Sequence, residues 1–287
     1  MKKKAFVACL ALSGLMSIGG CAGAGVKRDV DHDDAKVEVA EHQRKTVRVM
    51  TYNIHFGTGL DGELDLERIA NVIKDSDADL VALQEIDKGT KRTGGVDMPR
   101  ELQKLTGMYH TFGKTIDYQG GEYGLMLLSK WPIYDIAVNE LPYSRDAERR
   151  VALSGLVNVP GMGEVRLVST HLQWMPIGDK HEQAKALNRL FANSDVTPVI
   201  LGGDFNAGYG SPTMSEMLKF WQVSSKIDTG MTFPADKPNK QIDHVMTSGA
   251  IRFDTKSIEV IDEQVASDHL PVVVDLELIG GVGDVEE

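Results

Sequence analysis

The sequence predicts an α/β fold in which two packed sheets are flanked by helices. Short apolar runs rich in β-branched residues recur between residues 46 and 278, with few helical stretches between them. Hairpin connections such as Pro160-Gly161-Met162-Gly163 join neighbouring runs. So many strands with so few crossovers suit sheet stacked on sheet rather than an open, doubly wound sheet. Polar residues close several of the runs, and they would converge on one rim of the stack.

The elements follow in chain order. Residues 46–52 alternate as a first strand, which Asn53-Ile54-His55 leaves. Leu66, Ile69, Ala70 and Ile73 fall at helical spacing behind Asp65 as N-cap, in a helix reaching about Asp75. Residues 79–85 form a second buried strand ending in polar groups. A helix over 99–106 stops at Gly107. Residues 109–115 and 124–129 are strands about a Gly120-Gly121 turn, and residues 130–133 lead away from the second. Residues 152–159 and 165–170 make a hairpin, 181–192 a helix and 197–201 a strand. Residues 231–241 are a loop before a strand at 242–247, and Asp268-His269-Leu270-Pro271 introduces a last strand over 272–278.

The N-terminus has its own logic. Lys2, Lys3 and Lys4 precede an apolar stretch, 5–18, too short for a membrane span. Ile18-Gly19-Gly20-Cys21 resembles the bacterial lipobox. That makes 1–20 a lipoprotein signal peptide and Cys21 the lipidated residue, with the membrane as a partner through that lipid. An ordinary secretory signal is the alternative. Ala22 after the cysteine fits a cell-envelope address, the outer membrane in a Gram-negative host. Residues 21–46, including Asp31-His32-Asp33-Asp34, are too polar to bury and form a flexible tether. The catalytic domain spans 47–278, with a flexible tail over 279–287. Cys9 and Cys21 are the only cysteines, so the mature domain has no internal disulfide and depends on its core.

Charge narrows the substrate. The chain carries 31 basic and 42 acidic residues, a formal charge of −11, which becomes −14 once the three leader lysines are removed. A protein that holds long nucleic acid without sequence preference has a basic face. Here the bases are scattered, so a small or lipid-borne phosphoester fits better than duplex DNA.

The chemistry centres on Val199-Ile200-Leu201-Gly202-Gly203-Asp204-Phe205-Asn206. Its two glycines let the backbone turn and approach a ligand. Asp204 and Asn206, two apart in extended chain, would face one reacting group. Asn53, Glu85, His171, Asp243, Asp268 and His269 stand at other strand ends. Each has a plainer alternative: a turn cap for Asn53, a surface pair with lysine for Glu85, a satisfied core histidine for His171. As a set they suit a hard cation, Mg²⁺ with Mn²⁺ or Ca²⁺ as alternatives, beside histidines that move protons. No cysteine ligand or closely spaced histidine pair favours zinc.

The strings TYNIHFG, LQE, YGLMLLSKWPI, STHL, GGDFNA, IDHV and SDHLPV run in order through the chain. They resemble the endonuclease/exonuclease/phosphatase superfamily, and the resemblance implies a DNase I-like four-layer α/β sandwich. It also implies metal ligation by Glu85 with Asn53, and Asp268 at or near the cation. Asp204 would orient or deprotonate the attacking water and Asn206 would hold phosphoryl oxygens. Asp243 would fix a protonated His269, and His171 would contact phosphate or protonate the leaving group. Arg150, favoured over Arg149, would face the phosphate; a surface pair with Glu148 or Asp146 is its alternative. Leu125 departs from the family pattern, where asparagine often follows the glycine, and the expectation is an altered pocket wall. The implied activity is metal-dependent phosphoester hydrolysis outside the cytoplasm. A surface or periplasmic nuclease and a non-catalytic binding lipoprotein are the alternatives. Loops at 90–99, 142–150, 174–181 and 229–241 would set specificity.

Overall fold

The computed structural model describes residues 46–175, 177–192, 197–224, 230–248 and 253–279. All belong to one compact unit, Ala40–Glu287. The leader, Cys21, the tether and the tail from residue 280 lie outside the described residues.

One sheet comprises β1 (Thr46–Asn53), β2 (Leu80–Lys88), β3 (Tyr109–Tyr118), β4 (Gly121–Ser129), β11 (Phe253–Val260) and β12 (Val272–Leu278), in the order β11-β12-β1-β2-β4-β3. The other comprises β5 (Ile133–Leu141), β6 (Arg150–Val159), β7 (Gly163–His171), β8 (Val199–Asp204), β9 (Trp221–Val223) and β10 (Asp243–Ser248), in the order β5-β6-β7-β8-β10-β9. Both are mixed: β1 runs parallel to β2 and β7 parallel to β8, while the other neighbours are antiparallel. Helices α1 (Leu66–Asp75) and α2 (Met98–Thr106) cover the first sheet. Helices α3 (Ile177–Leu187) and α4 (Pro212–Met217) cover the second.

Three apolar layers hold these four structural layers together. Val47, Val49, Ala82 and Leu127 meet Leu153, Leu167, Ile200 and Val245 between the sheets. The alternate residues of the first sheet, such as Met50, Val81 and Leu83, pack with Ile69, Ile73 and Leu102 of α1 and α2. Leu201, Val168 and Met246 do the same with Leu187 and Met214. Burial on both faces explains why the central strands read as continuous apolar runs. The sheets approach closely at Gly202, where an added Cβ would lie 2.8 Å from Ala82 Cβ.

Helix boundaries follow their caps. Asp65 accepts the Arg68 N–H at 2.8 Å, Asp97 caps α2, and Gly107, at φ 72°, ends it in the left-handed conformation.

Several sequence expectations need correction. The glycines of β8 do not turn the chain or face a ligand; the strand runs through them to Asp204, and they make room for Ala82, Thr51 and Thr170. Asp204 and Asn206 are not two residues of one extended strand, because Asn206 has φ 48°. Leu125 is no part of the pocket wall. It lies in the core between the sheets, two residues deeper on the same face than Tyr123. Strand β2 continues past Glu85 to Lys88, and α3 begins before His181 and passes into a π turn at Asn188–Ala192. Strands β5, β9 and β11 and helix α4 had no counterpart in the sequence reading.

Candidate active site

Topology brings both kinds of strand end to one rim. Strands β1, β2, β7 and β8 run towards it and deliver Asn53, Glu85, His171 and Asp204 near their C-terminal ends. Their antiparallel neighbours begin there, so β4, β6, β10 and β12 contribute Tyr123, Arg150, Asp243 and the preceding Asp268-His269. In β2 the pairing with β4 slips between Leu83 and Ile86, and Glu85 within this bulge has φ 59°. A bulge re-aims a side chain; this one turns the carboxylate to the rim. Such backbone strain in a non-glycine residue is sustained only where the surroundings over-determine it. The floor is a cavity of about 860 Å³ lined by Glu85, Arg150, His171, Asp204, Asn206 and His269, among others.

On one side lies a hydrogen-bonded relay. His269 Nδ1 meets Asp243 Oδ2 at 2.9 Å, and Thr232 Oγ1 donates to the same oxygen at 2.6 Å. His269 Nε2 faces Asp204 Oδ2 at 3.8 Å. Burial alone would lower the His269 pKa, but Asp243 and Asp204 override it and raise it to about 10. Burial, with repulsion from Asp243, raises Asp204 to about 7. At neutral pH the pair is therefore an imidazolium beside a carboxyl group poised to accept a proton.

Asn206 ties the next residues in. Its backbone N–H donates to Asp204 Oδ1 at 2.8 Å, and its amide lies 3.1 Å from His171 Nε2 and from the Leu172 carbonyl. His171 Nε2 is also 3.3 Å from Asp204 Oδ2. Burial, then Arg150 and His269, holds His171 well below the ordinary histidine range. It is neutral at pH 7, so it suits holding phosphate or Asn206 better than supplying a proton.

The acid side is different. Asn53 Nδ2 donates to Glu85 Oε1 at 3.1 Å and Asp204 Oδ2 at 3.2 Å, while its oxygen takes the His55 N–H. Asn53 thus orients Glu85. Burial raises Glu85 above the usual range, and Asp268 adds repulsion. Neither carboxylate has a lysine or arginine partner among the described residues. An uncompensated pair of hard oxygen donors fits a divalent cation. Ligating atoms of Asp204, Asp243 and His269 also lie within 4.8 Å of one another. There Asp243 Oδ2 is engaged by His269 and Thr232, while Asp243 Oδ1 is buried without a hydrogen-bond partner among the described residues.

Arg150 is buried and lines the cavity, bonded through Nε to Gln173 Oε1 at 3.0 Å and paired with Glu148 at 3.2 Å. Arg149 turns away to Glu140. The cavity and the carboxylate pair offered as alternatives for Arg150 are thus both present.

The sequence reading missed Tyr123, Thr232, Gln173 and Lys180. Tyr123 lies within one of the quoted strings and precedes a glycine, a visible signal. Thr232 sits in a polar loop whose approach to Asp243 no local pattern reveals.

A model of the Endonuclease/Exonuclease/phosphatase family matches residues 50–269. The crystal structure of an endonuclease/exonuclease/phosphatase from Beutenbergia cavernae is 27% identical with a TM-score of 0.72, covering 83% of this chain and 73% of that one. A mannosyl-6-phosphatase from Bacteroides thetaiotaomicron, 19% identical, has a TM-score of 0.65 over 80% of this chain and 99% of its own. The human Nocturnin catalytic domain, solved with bound sulfate, is 18% identical with a TM-score of 0.62 over 81% and 93%. These last two share the fold. The order of the strands, the rim of acids, amides and imidazoles and the family match together make this chain a member of the Endonuclease/Exonuclease/phosphatase family and a phosphoester hydrolase.

Proposed function

We propose that the protein is a divalent-metal-dependent hydrolase of a small or lipid-borne phosphoester. The observation that carries this reading is the division of the rim's polar residues into two groups. A proton relay, Asp204–His269–Asp243, occupies one side, and an unpaired acidic pair, Glu85 and Asp268, the other. Asp204 accepts the proton of a water attacking phosphorus in line, its raised pKa suiting a base that works near neutrality. Asn206 and Arg150 hold the phosphoryl oxygens. Imidazolium His269 stabilises the charge that builds in the transition state and is the stronger candidate to protonate the leaving oxygen. A Mg²⁺-like ion held by Glu85 and Asp268 would supply neutralisation of the transferring group.

The half-open cavity, with the exposed side chains of Trp174, Met175 and Met231 in its lining, supports an ester with an apolar portion. The acidic balance of the chain supports the same choice over long nucleic acid. We further propose, on the lipobox-like sequence alone, that Cys21 anchors the enzyme in the cell envelope; Cys21→Ser should release it from membranes.

The test is turnover of p-nitrophenyl phosphate, bis-p-nitrophenyl phosphate, phospholipid headgroups and supercoiled plasmid with and without EDTA. Chelator-sensitive hydrolysis of the small or lipid esters, restored by Mg²⁺ or Mn²⁺, is expected. Plasmid nicking as the dominant activity would move the assignment to a nuclease, and hydrolysis indifferent to EDTA would remove the metal.

A further inference from the structure

Two lysines in the cavity remain without a role. Lys180, near the start of α3, is 8% exposed and donates from Nζ to the Asn206 carbonyl oxygen at 2.6 Å. Lys240 is exposed, with Nζ 5.2 Å from the centre of the Phe233 ring, and Phe233 in turn packs on His269 at 4.7 Å. Lys180 therefore stands beside Asn206, and Lys240 is one aromatic ring removed from His269; both line the cavity. They flank the place where the phosphoryl group would sit.

Several lysines on the outer surface find carboxylates: Lys88 with Glu122, Lys130 with Asp77, Lys185 with Glu182 and Lys256 with Glu277. Lys180 and Lys240 have no such salt bridge among the described residues, in a chain with 42 acidic residues to choose from. Burial holds the Lys180 ammonium below its usual range, Asp204 offsets this in part, and Lys240 lowers it further. A buried ammonium lacking a salt bridge is costly to keep, and the like charge of the exposed Lys240 at the same cavity adds to the cost. Arg150, Asn206, His269 and the acid-side cation already account for a single phosphate, so these lysines exceed what one monoester with a neutral leaving group requires.

We propose that Lys180 and Lys240 form a second anion subsite beside the reacting phosphate, and that the substrate is a phosphoester bearing a further negatively charged group close to the scissile ester. The inference rests on the phosphoester-hydrolase reading above and narrows its substrate class.

Binding of phosphonates, which the enzyme cannot hydrolyse, separates the two. Isothermal titration calorimetry of the full-length protein in excess Mg²⁺ would compare propylphosphonate with the ethane, propane and butane bisphosphonates that carry one phosphonate at each end. At least one bisphosphonate should bind about tenfold or more tightly than propylphosphonate. That gap should shrink in Lys240→Gln and in Lys180→Met, and persist in Lys180→Arg, which keeps the charge. Lys240 is exposed, so Lys240→Gln decides the matter even where Lys180→Met fails to fold. Equal affinities across the wild-type series, or a gap that survives Lys240→Gln, would overturn the subsite. A lysine-dependent gap in a protein that hydrolyses no ester would uphold the subsite and sink the proposed function; hydrolysis with a flat binding series would do the reverse.

Discussion

The substitution Asp204→Asn should abolish turnover and yet make the protein more stable above neutral pH. Asp204 is fully buried, and its pKa rises from 3.8 to about 7 because burial and the Asp243 carboxylate disfavour its charge. A folded-state pKa above the unfolded value means that this group's stabilising contribution is complete below pH 3.8 and is lost as pH rises through about 7. At about 1.4 kcal/mol per pKa unit, ionising Asp204 in the fold costs on the order of 4 kcal/mol relative to the unfolded chain. Asparagine keeps the shape and one acceptor for Asn206 N–H or Asn53 Nδ2, but never ionises. In EDTA, urea unfolding should therefore give Asp204→Asn the higher midpoint at about pH 8, with the advantage fading towards about pH 4. Turnover should fall by roughly 10²–10⁴ through loss of the base. A variant that keeps substantial activity, or whose stability relative to wild type is the same at both ends of that range, would refute the assignment of Asp204 as a buried, poised base.

Four further outcomes follow from the same geometry. The pH profile of kcat/KM should rise as Asp204 loses its proton near about 7 and fall as His269 loses its own near about 10, so an enzyme fully active well below neutrality would contradict the relay. Asp243→Asn removes the carboxylate that does most to hold the proton on His269, and the alkaline limb should move down by about 1–3 units, read from the same profiles. Glu85→Gln should leave the fold intact while weakening activation by Mg²⁺, measured as the metal concentration at half-maximal rate; an unchanged metal requirement would reassign the acid side. Gly202→Ala should cost about 1–3 kcal/mol, because its new Cβ meets Ala82 at 2.8 Å, and a urea midpoint equal to wild type would show that the sheets can part there.

Legibility in the sequence tracked burial. The central strands are buried on both faces and announced themselves as apolar runs. The strands that escaped notice, β5, β9 and β11, are sheet edges. An edge strand pairs on one side only and tolerates polar or exposed residues, as in β5, where Ile136 and Val138 are about half exposed. Of the site, the residues inside the quoted strings could be named, because each lies at or near the end of a buried strand. Two kinds of information were out of reach. Local conformation was one: the bulge that gives Glu85 its aim and the left-handed backbone of Asn206 leave no periodic trace. Long-range placement was the other. Thr232 meets Asp243 from a proline-bearing loop, and Lys180 reaches Asn206 from a helix across 26 residues. The error over Leu125 has a simple origin, since strand alternation tells which face a side chain takes but not how deep along that face it lies.

The position of β12 has a consequence for how activity is acquired. This last strand of the chain pairs with the first, inserted between β11 and β1, and His269 precedes it directly. A growing chain that has not yet reached residue 269 lacks the imidazole half of the relay and the strand that joins β11 to β1. The relay is thus withheld until the segment that carries His269 and β12 has been made and has folded back onto β1.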